Sequence, residues 1–503
     1  MSIFNRFKKS DILILSFCLL WVLLSVRTNS IWADEGVTYA VSGNGDSIVG
    51  MFHRLKNHAM NFSRSNAIGG TPVYFFWEFL WCKIFGISEY AMRSSNFVFA
   101  IMFLLGAYKI IRLAELPFWS LLLFALNPVF LYYMNEARPY AAVIAIGLWS
   151  FYCLWRYYDS KGIKYLYFFF AWLWLGCAMH MMFVCMGIAY AIVILMHLKE
   201  HRLNLKHHIV ACSCAFPFFI PLALFYSYLI LHAQEVYSEL LDFNPGNSIL
   251  QIAYFFAGLG GVGWSRNVLR LKNLSVSPRI CVELSLSIIS LLFVFLYFLK
   301  HKLFKNKKIL LPLLCFSLTM ILFVLANIIF KSKFWERHIS FVLPIYLFII
   351  VFTCADMLNS RNSRPVRMIA VLAITMQCVS GINIILLDYY QKDDYKGAVE
   401  AARRMSPDHI LFEGDKNSFN YYGLSGEYAE DITGDSDISG NVNISTASKE
   451  VFDSILDRMQ GRVVFILCEK KDFDKGNFYQ SLGKNGIYVN CFSIITSKTN
   501  QRH

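Results

Sequence analysis

The sequence is poor in charged residues. Asp, Glu, Lys and Arg make up 16% of its 503 residues, whereas a soluble protein carries about a quarter. Hydrophobic residues make up 56% instead, and they form long runs, each close to the roughly 20 residues that an α-helix needs to cross a bilayer. The shortage of charge excludes an ordinary soluble protein and predicts a polytopic membrane protein.

Several motifs are also missing. The 13 cysteines are scattered, mostly inside apolar runs and without a CxxC pair, so we interpret them as small membrane-core residues, neither metal ligands nor a disulfide framework. Cys468 and Cys491 lie in the polar tail, where they could pair, but no pattern indicates it. The first apolar run, 12–26, follows the basic segment "NRFKK" and lacks a small-residue cleavage site, which favours a retained helix over a signal peptide. Tandem repeats are absent.

The net charge of +13 would suggest a nucleic-acid partner in a soluble protein. Here the Lys and Arg residues cluster in short loops between apolar runs, which is the positive-inside pattern of a membrane protein. Placing these clusters in the cytoplasm puts the N-terminus inside and predicts eleven spans. They are 12–26, 91–110, 116–134, 138–156, 164–180, 181–198, 209–231, 281–300, 309–330, 338–358 and 366–388.

Two hydrophobic segments remain outside this scheme, "TPVYFFWEFLWCKIFG" (71–86) and "ILQIAYFFAGLGGVGW" (249–264). We interpret both as interfacial or re-entrant on the outer face, since irregular backbone at membrane depth is tolerated where it lines a cavity. The alternative is that both span, which gives thirteen helices and inverts every loop between them. The eleven-helix scheme places "WADEGVTYA" (32–40), "NEARPY" (135–140), His180, "KSKFWERH" (331–338) and the tail on one outer face.

The composition changes near residue 388 to that of a small globular domain. We therefore divide the chain into a membrane domain, 1–388, with an outer loop at 28–90, and an outer domain, 389–503. Helices are predicted at 395–405 and 448–459, and strands at 409–413, 462–468 and 486–495, whereas "GDSDISGNVN" (434–443) reads as a loop. Alternating helices and strands indicate an α/β domain. It has no phosphate-binding glycine loop or nucleophile motif, so we assign it a binding or packing role.

The order and spacing of these motifs resemble the dolichyl-phosphate-mannose–protein mannosyltransferase family, glycosyltransferase family 39, in its bacterial branch, which includes lipid A aminoarabinose transferases. The resemblance is strongest over residues 30–160, moderate at 334–346 and weak in the tail. It implies a GT-C fold: a helix bundle, an acidic first outer loop and a soluble outer domain. It also implies that a sugar moves from a polyprenyl-phosphate donor to a glycan or lipid acceptor, of O-antigen or lipid A type, outside the cytoplasmic (inner) membrane. Membrane lipids are then expected partners and nucleic acid is not.

The resemblance assigns roles to individual residues. Asp34 matches the acidic position of the first outer loop and is our candidate general base, with Glu35 as its support. Without the family, the same pair reads as a helix cap, because Asp is common at an N-cap. The candidate contacts to the donor phosphate and substrate are Arg93, Glu136, Arg138, His180, Lys333, Arg337 and His338.

For most of these residues a structural role is an open alternative. Arg93 could snorkel at the interface, Glu136 and Arg138 could form a local ion pair, and His180 could be a satisfied bundle residue. Arg337 and His338, with Lys331 and Lys333 nearby, form the best candidate clamp for a leaving phosphate, because Arg binds phosphate oxygens bidentately. If the topology were wrong, this group would be a cytoplasmic basic cluster.

No cofactor is certain. Asp34, Glu35, Glu136 and His180 could bind one divalent metal ion if they converge, although no local ligand spacing supports this. His53, Lys56 and His58 lie in the first outer loop and could contact the acceptor. Three other functions stay open from the residues alone: a polyprenyl-linked glycan polymerase or ligase, a transporter or flippase, and a membrane scaffold. A transporter would be expected to show repeat symmetry and a midplane site.

Overall fold

The computed structural model describes most of the membrane domain and part of the tail. The described residues are 9–43, 45, 47–60, 71–197, 205–232, 245–264, 277–330, 336–359, 361–387, 394–404, 406, 408–412, 416–428, 441–443, 463–467 and 491–493. Lys331, Lys333, the predicted helix 448–459 and Cys468 lie outside them.

The chain is a multi-pass membrane protein, as its composition predicts. Six helical stretches in the described residues are long and apolar enough to cross a membrane: Glu89–Leu113, Lys206–Tyr228, Pro278–Lys300, Lys307–Ala326, Glu336–Met357 and Arg364–Leu386. Four further predicted spans coincide with the helices Lys9–Leu24, Tyr140–Ser160, Ile163–Met179 and Val184–His197. The smaller helical elements are Ala33–Thr38, Tyr39–Gly43, Ile48–Met60, Pro72–Phe85, Met181–Phe183, Pro245–Phe256, Leu259–Gly261 and Leu303–Lys305.

One predicted span is broken. The segment 116–134 forms two short helices, Ser120–Ala125 and Pro128–Met134, with Asn127 as the N-cap of the second. Pro128 cannot continue the first helix, because it has no N–H and disfavours helical backbone before it. Gly381 packs against this break: a Cβ there would lie 1.8 Å from the carbonyl oxygen of Leu126.

Contacts between residues far apart in the sequence show which loops lie at the same end of the bundle. Asp34 is in contact with Arg138 and Arg337, all three predicted outside, whereas Lys308 pairs with Glu115 at 2.7 Å, both predicted inside. The pairing of Arg93 with Glu35 places both residues at one end of the bundle, so the helix Pro72–Phe85, between them, cannot be a single crossing. At 14 residues it would reach about 21 Å, less than the roughly 30 Å hydrocarbon core.

The second segment outside the eleven-helix scheme, 249–264, also does not cross the bundle. If this segment is not counted, six helices lie between Arg138 and Arg337. An even number of crossings returns the chain to the same end of the bundle, which agrees with the contacts of both residues with Asp34. The segment forms the helix Pro245–Phe256 and a glycine-rich turn. The contacts therefore favour the eleven-helix scheme over thirteen. Which end of the bundle faces outward stays a prediction.

The glycine-rich turn is attached to the helix Arg364–Leu386 by polar side chains. Gln377 donates to the Ala257 carbonyl at 2.6 Å, and Asn383 donates to the Gly261 carbonyl at 2.9 Å. The Ser380 hydroxyl accepts the Gly261 N–H at 3.1 Å. These residues recur every three positions, so they form one polar stripe on the helix. The stripe satisfies backbone groups that an irregular segment would otherwise leave unpaired.

The tail folds as an α/β unit with a five-stranded parallel sheet. Its strands are His409–Phe412 (β1), Gly426–Tyr428 (β2), Asn441–Asn443 (β3), Val463–Leu467 (β4) and Cys491–Ser493 (β5), in the order β2-β3-β1-β4-β5. The helices Tyr395–Arg404 and Lys416–Tyr421 accompany it. β1, β4 and the first helix are confirmed, and β5 lies within the third predicted strand, whose other residues, 486–490 and 494–495, are outside the described part. The interpretation of 434–443 as a loop is wrong at its end, because 441–443 pair with both β1 and β2.

Candidate functional site

The short helix Ala33–Thr38 positions the two acidic residues of the first outer loop. Trp32 is its N-cap, so Asp34 and Glu35 occupy the second and third helical positions, where negative charge is favoured by the helix dipole. Glu35 accepts the Trp32 N–H at 3.4 Å. Consecutive helical residues point about 100° apart, and the two carboxylates accordingly have different partners.

Glu35 forms a buried ion pair with Arg93. Its side chain is inaccessible to solvent and that of Arg93 is 2% exposed. The guanidinium donates from Nε to Oε1 at 2.8 Å and from Nη2 to Oε2 at 2.6 Å. Its remaining donors reach three backbone carbonyls, those of Arg27, Asn29 and Ser30. All five N–H groups of Arg93 thus have protein acceptors, and the pair fixes the outer loop to the helix Glu89–Ser94.

The "NEARPY" segment is bound to the same loop through four hydrogen bonds. The Ala137 N–H donates to Glu35 Oε1 at 2.9 Å, and the Thr38 hydroxyl donates to the Ala137 carbonyl at 2.8 Å. The Arg27 N–H donates to Asn135 Oδ1 at 2.9 Å, and Arg138 Nη1 donates to the Asp34 carbonyl at 3.3 Å. Residues 108 positions apart in the chain therefore form one local structure.

Asp34 is in contact with two arginines, Arg337 and Arg138. Its carboxylate forms an ion pair with Arg337, and it keeps 26% of its side chain exposed. Arg138, which donates to the Asp34 backbone carbonyl, is buried, and its guanidinium carbon lies 6.0 Å from the centre of the Phe75 ring. Among the residues that the structure describes, the Nε atom of Arg138 has no hydrogen-bond acceptor. Asp34 is thus an accessible carboxylate beside cationic groups, whereas Glu35 is enclosed.

Arg337 and His338 lie on the 3-10 segment Glu336–Val342, which packs closely on the helix Tyr140–Ser160. A Cβ at Gly147 would lie 2.2 Å from the Phe341 carbonyl oxygen, so glycine is required for this approach. The His338 ring lies 5.7 Å from that of His180, centroid to centroid. His180 in turn lies 6.1 Å from the Tyr140 ring.

The predicted site residues within the described part therefore converge. Asp34, Glu35, Arg93, Arg138 and Arg337 are linked by direct contacts, and His180 and His338 adjoin them. Glu136 is fully buried within the hydrogen-bonded "NEARPY" segment, where its backbone carbonyl accepts from Asn96 at 2.6 Å. Lys333 lies outside the described residues.

The structure does not support the suggested metal site. Among the described residues, no group of three or more His, Cys, Asp and Glu side chains is arranged to hold a metal ion. Both carboxylate oxygens of Glu35 are engaged by Arg93.

Two ionisable residues near the site, Glu78 and Glu336, were not assigned roles from the sequence, and a third, His58, was considered there as a contact to the acceptor. Glu78 is buried on the helix Pro72–Phe85, and burial raises its pKa to about 8; the Tyr74 hydroxyl donates to it at 3.3 Å. Glu336 is also buried and accepts from the Tyr133 hydroxyl at 3.0 Å. Burial and, less strongly, the charge of Arg138 lower the pKa of His58 to about 4. A carboxylate within an apolar run is the signal that could have indicated Glu78.

Comparisons with known proteins give one family match and one similar solved structure. A search of curated proteins finds no match. Among solved structures, the chain is similar to ArnT from Cupriavidus metallidurans bound to undecaprenyl phosphate, at 12% identity and a TM-score of 0.45, over 81% of this chain and 84% of that one. A family model described as dolichyl-phosphate-mannose-protein mannosyltransferase matches residues 70–225. This match confirms, over those residues, the resemblance to the mannosyltransferase family that the sequence motifs indicate.

Proposed function

We propose that this protein is a membrane glycosyltransferase that moves a sugar from a polyprenyl-phosphate donor to a hydroxyl of an envelope glycan or lipid on the outer face of the cytoplasmic membrane. The observation that carries the proposal is the placement of Asp34. It is the partly exposed carboxylate of the cluster, and it lies in contact with both Arg138 and Arg337. The family match at residues 70–225 supports a phosphate-linked sugar donor.

The reaction needs a base and a place for the leaving negative charge. Asp34 accepts the proton of the acceptor hydroxyl, and that oxygen forms the new bond to the anomeric carbon of the sugar. The bond from the anomeric carbon to the donor phosphate oxygen breaks, and polyprenyl phosphate leaves with the electron pair. Such a direct displacement inverts the anomeric configuration. A positioned general base contributes about 10²- to 10⁴-fold to the rate.

The arginines suit the departing phosphate. Arg337 pairs with the carboxylate that serves as base, and Arg138 donates to the backbone carbonyl of the same residue. The buried Nε of Arg138 is a donor without an acceptor among the described residues. A fixed cation aimed at developing negative charge stabilises the transition state without reorganisation. His180 and His338 lie beside this pair, where they can donate to phosphate oxygens or to the sugar.

Glu35 and Arg93 act as positioning residues in this proposal. Each has its charge neutralised by the other, and every N–H of Arg93 is taken by a protein acceptor. This assignment replaces the phosphate contact expected of Arg93. Glu136 is proposed to contact the acceptor, from its buried position beside Ala137.

A transfer assay tests the function. The purified protein in detergent is incubated with undecaprenyl-phosphate-linked sugars, pentosyl and hexosyl, and with lipid A or O-antigen glycan as acceptor. We expect a glycosylated acceptor and free undecaprenyl phosphate in equal amounts, with the anomeric configuration inverted. The same sugars on a nucleotide carrier serve as control donors. Transfer from the nucleotide sugars alone, or export of the lipid donor without transfer, would contradict the proposal.

A further inference from the structure

The hydrophobic core of the α/β domain includes one residue of the first outer loop. Trp32 is 9% exposed and packs with buried side chains of the tail. Its partners in this cluster include Tyr395, Val399, Ile410, Phe412, Phe419 and Ile466. They come from the helix Tyr395–Arg404, the sheet and the helix Lys416–Tyr421. Within the described residues, Trp32 is the one member of this core that the membrane domain supplies.

Hydrogen bonds hold the residues just before Trp32 to the same domain. The Ile31 N–H donates to the Tyr422 hydroxyl at 2.7 Å, and the Lys396 N–H donates to the Ser30 hydroxyl at 3.0 Å. A third contact joins the domain to the neighbouring helix of the membrane domain, where Lys396 Nζ pairs with Glu89 at 3.2 Å. Three consecutive loop residues are thus attached to the tail.

The attachment lies immediately before the candidate base. Trp32 is the N-cap of the helix Ala33–Thr38, and its carbonyl accepts the N–H groups of Glu35 and Gly36, both at 2.9 Å. The first turn of the helix therefore moves with Trp32. On the opposite side, Arg93 holds Glu35. Asp34 lies between an anchor in the outer domain and an anchor in the membrane domain.

We propose that Trp32 is a positioning residue through which the α/β domain sets the location of Asp34. The inference rests on the proposed function, and it gives the tail a part in catalysis beyond the binding or packing role expected from its sequence. Removing the indole changes neither Asp34 nor the arginines that contact it, but it releases one end of the helix Ala33–Thr38 and so allows Asp34 to shift. A misplacement of about 1 Å can lower a rate by 10²-fold.

The test compares Trp32→Ala, Trp32→Phe and Tyr422→Phe with the wild type in the full chain. Phe52→Ala serves as the matched control, because Phe52 is an outer-loop aromatic, 43% exposed, that is not part of the tail core. We expect Trp32→Ala to lower kcat about 10²-fold with the donor KM within about threefold, and Trp32→Phe to restore most of the rate. Tyr422→Phe removes the hydroxyl that accepts from the Ile31 N–H and donates to Glu89 at 3.4 Å, and it should lower kcat by about three- to tenfold.

Hydrogen exchange of peptides covering residues 27–38 supplies a readout independent of activity. Trp32→Ala should speed exchange there by about tenfold or more, and Phe52→Ala should leave it unchanged. Unchanged exchange in Trp32→Ala would overturn the anchoring, and faster exchange with kcat within threefold of wild type would overturn the positioning role. If the wild type transfers sugar from no donor of this class, the proposed function fails, while the exchange data still decide whether Trp32 anchors the loop.

Discussion

Replacing Glu35 by Gln tests how strongly the site depends on its buried ion pair. The substitution keeps the shape of the side chain but removes its charge. Arg93 then stays 2% exposed with its positive charge uncompensated, and one carboxylate acceptor becomes an amide donor. Breaking a buried pair by removing one partner costs about 3 to 5 kcal/mol, because the other charge remains buried.

The loss should appear in the segments that the pair holds together. The Ala137 N–H donates to Glu35 Oε1, and Arg93 binds the carbonyls of Arg27, Asn29 and Ser30. Since each 1.4 kcal/mol changes an equilibrium tenfold, a loss of 3 kcal/mol makes local opening about 10²-fold more frequent. Hydrogen exchange of peptides covering 27–36 and 134–138 should accelerate by that factor.

Glu89→Gln is the matched control. Glu89 also lies on the predicted outer face in an ion pair, but its partner Lys396 is 43% exposed, and exposed pairs contribute about 0 to 1 kcal/mol. Exchange in the Glu89 variant should change by less than about fivefold. Exchange in Glu35→Gln that stays within threefold of the wild type would refute the view that this pair holds the loop.

Two further predictions concern the packing and the charge near the site. Gly147→Ala should lower stability by about 1 to 3 kcal/mol and reduce transfer, because the new Cβ meets the Phe341 carbonyl, four residues after Arg337. Gly162→Ala is the control and should be tolerated, because the nearest atoms to its new Cβ are 3.4 Å away. Equal unfolding curves for the two variants would count against the argument. The pKa of His58 is lowered by burial from 6.5 to about 4, so the unfolded chain binds that proton more readily. The stability that neutral His58 contributes is therefore complete above about pH 6.5 and is lost as the pH falls towards 4. Denaturant unfolding of His58→Gln should show a weaker dependence on pH in this window, and an unchanged dependence would contradict the assignment.

The positions of the helices could be predicted because apolar runs and basic clusters are local signals. The runs set where helices lie, and the alternation of basic clusters sets which loops share an end of the bundle. The contacts of Asp34 with Arg138 and Arg337 agree with that grouping. The break before Pro128 was not predicted, because 116–134 is apolar throughout and resembles one continuous span. Pro128 itself was the available signal, since the residue before a proline favours a helix boundary.

Other features depend on tertiary contacts that no local pattern encodes. The strand Asn441–Asn443 has a turn-like composition and is extended because β1 and β2 pair with it on both sides. Arg93 appears in sequence as an interfacial arginine near a helix start. Its role follows from three carbonyls and one carboxylate more than 55 positions away in the chain. Burial of Trp32 in the tail core likewise joins residues over 360 positions apart.

The structure also distinguishes the two adjacent acids of "WADEGVTYA". The sequence alone does not decide whether Asp34 or Glu35 is the base. In the folded chain Glu35 is enclosed and paired with Arg93. Asp34 keeps a quarter of its side chain exposed, pairs with Arg337 and accepts from Arg138 through its backbone carbonyl. We therefore propose Asp34 as the base and Glu35 as the residue that holds the loop in place.

The most direct test of this account is the single-turnover rate of sugar transfer by Asp34→Asn at saturating donor. The substitution keeps the side-chain shape and removes the base, so we predict a rate about 10²- to 10⁴-fold below the wild type with donor binding retained. Asp159→Asn, at a carboxylate that is 57% exposed and paired with Arg156, should transfer at the wild-type rate. An Asp34→Asn rate equal to that of the wild type would contradict the assignment of the base.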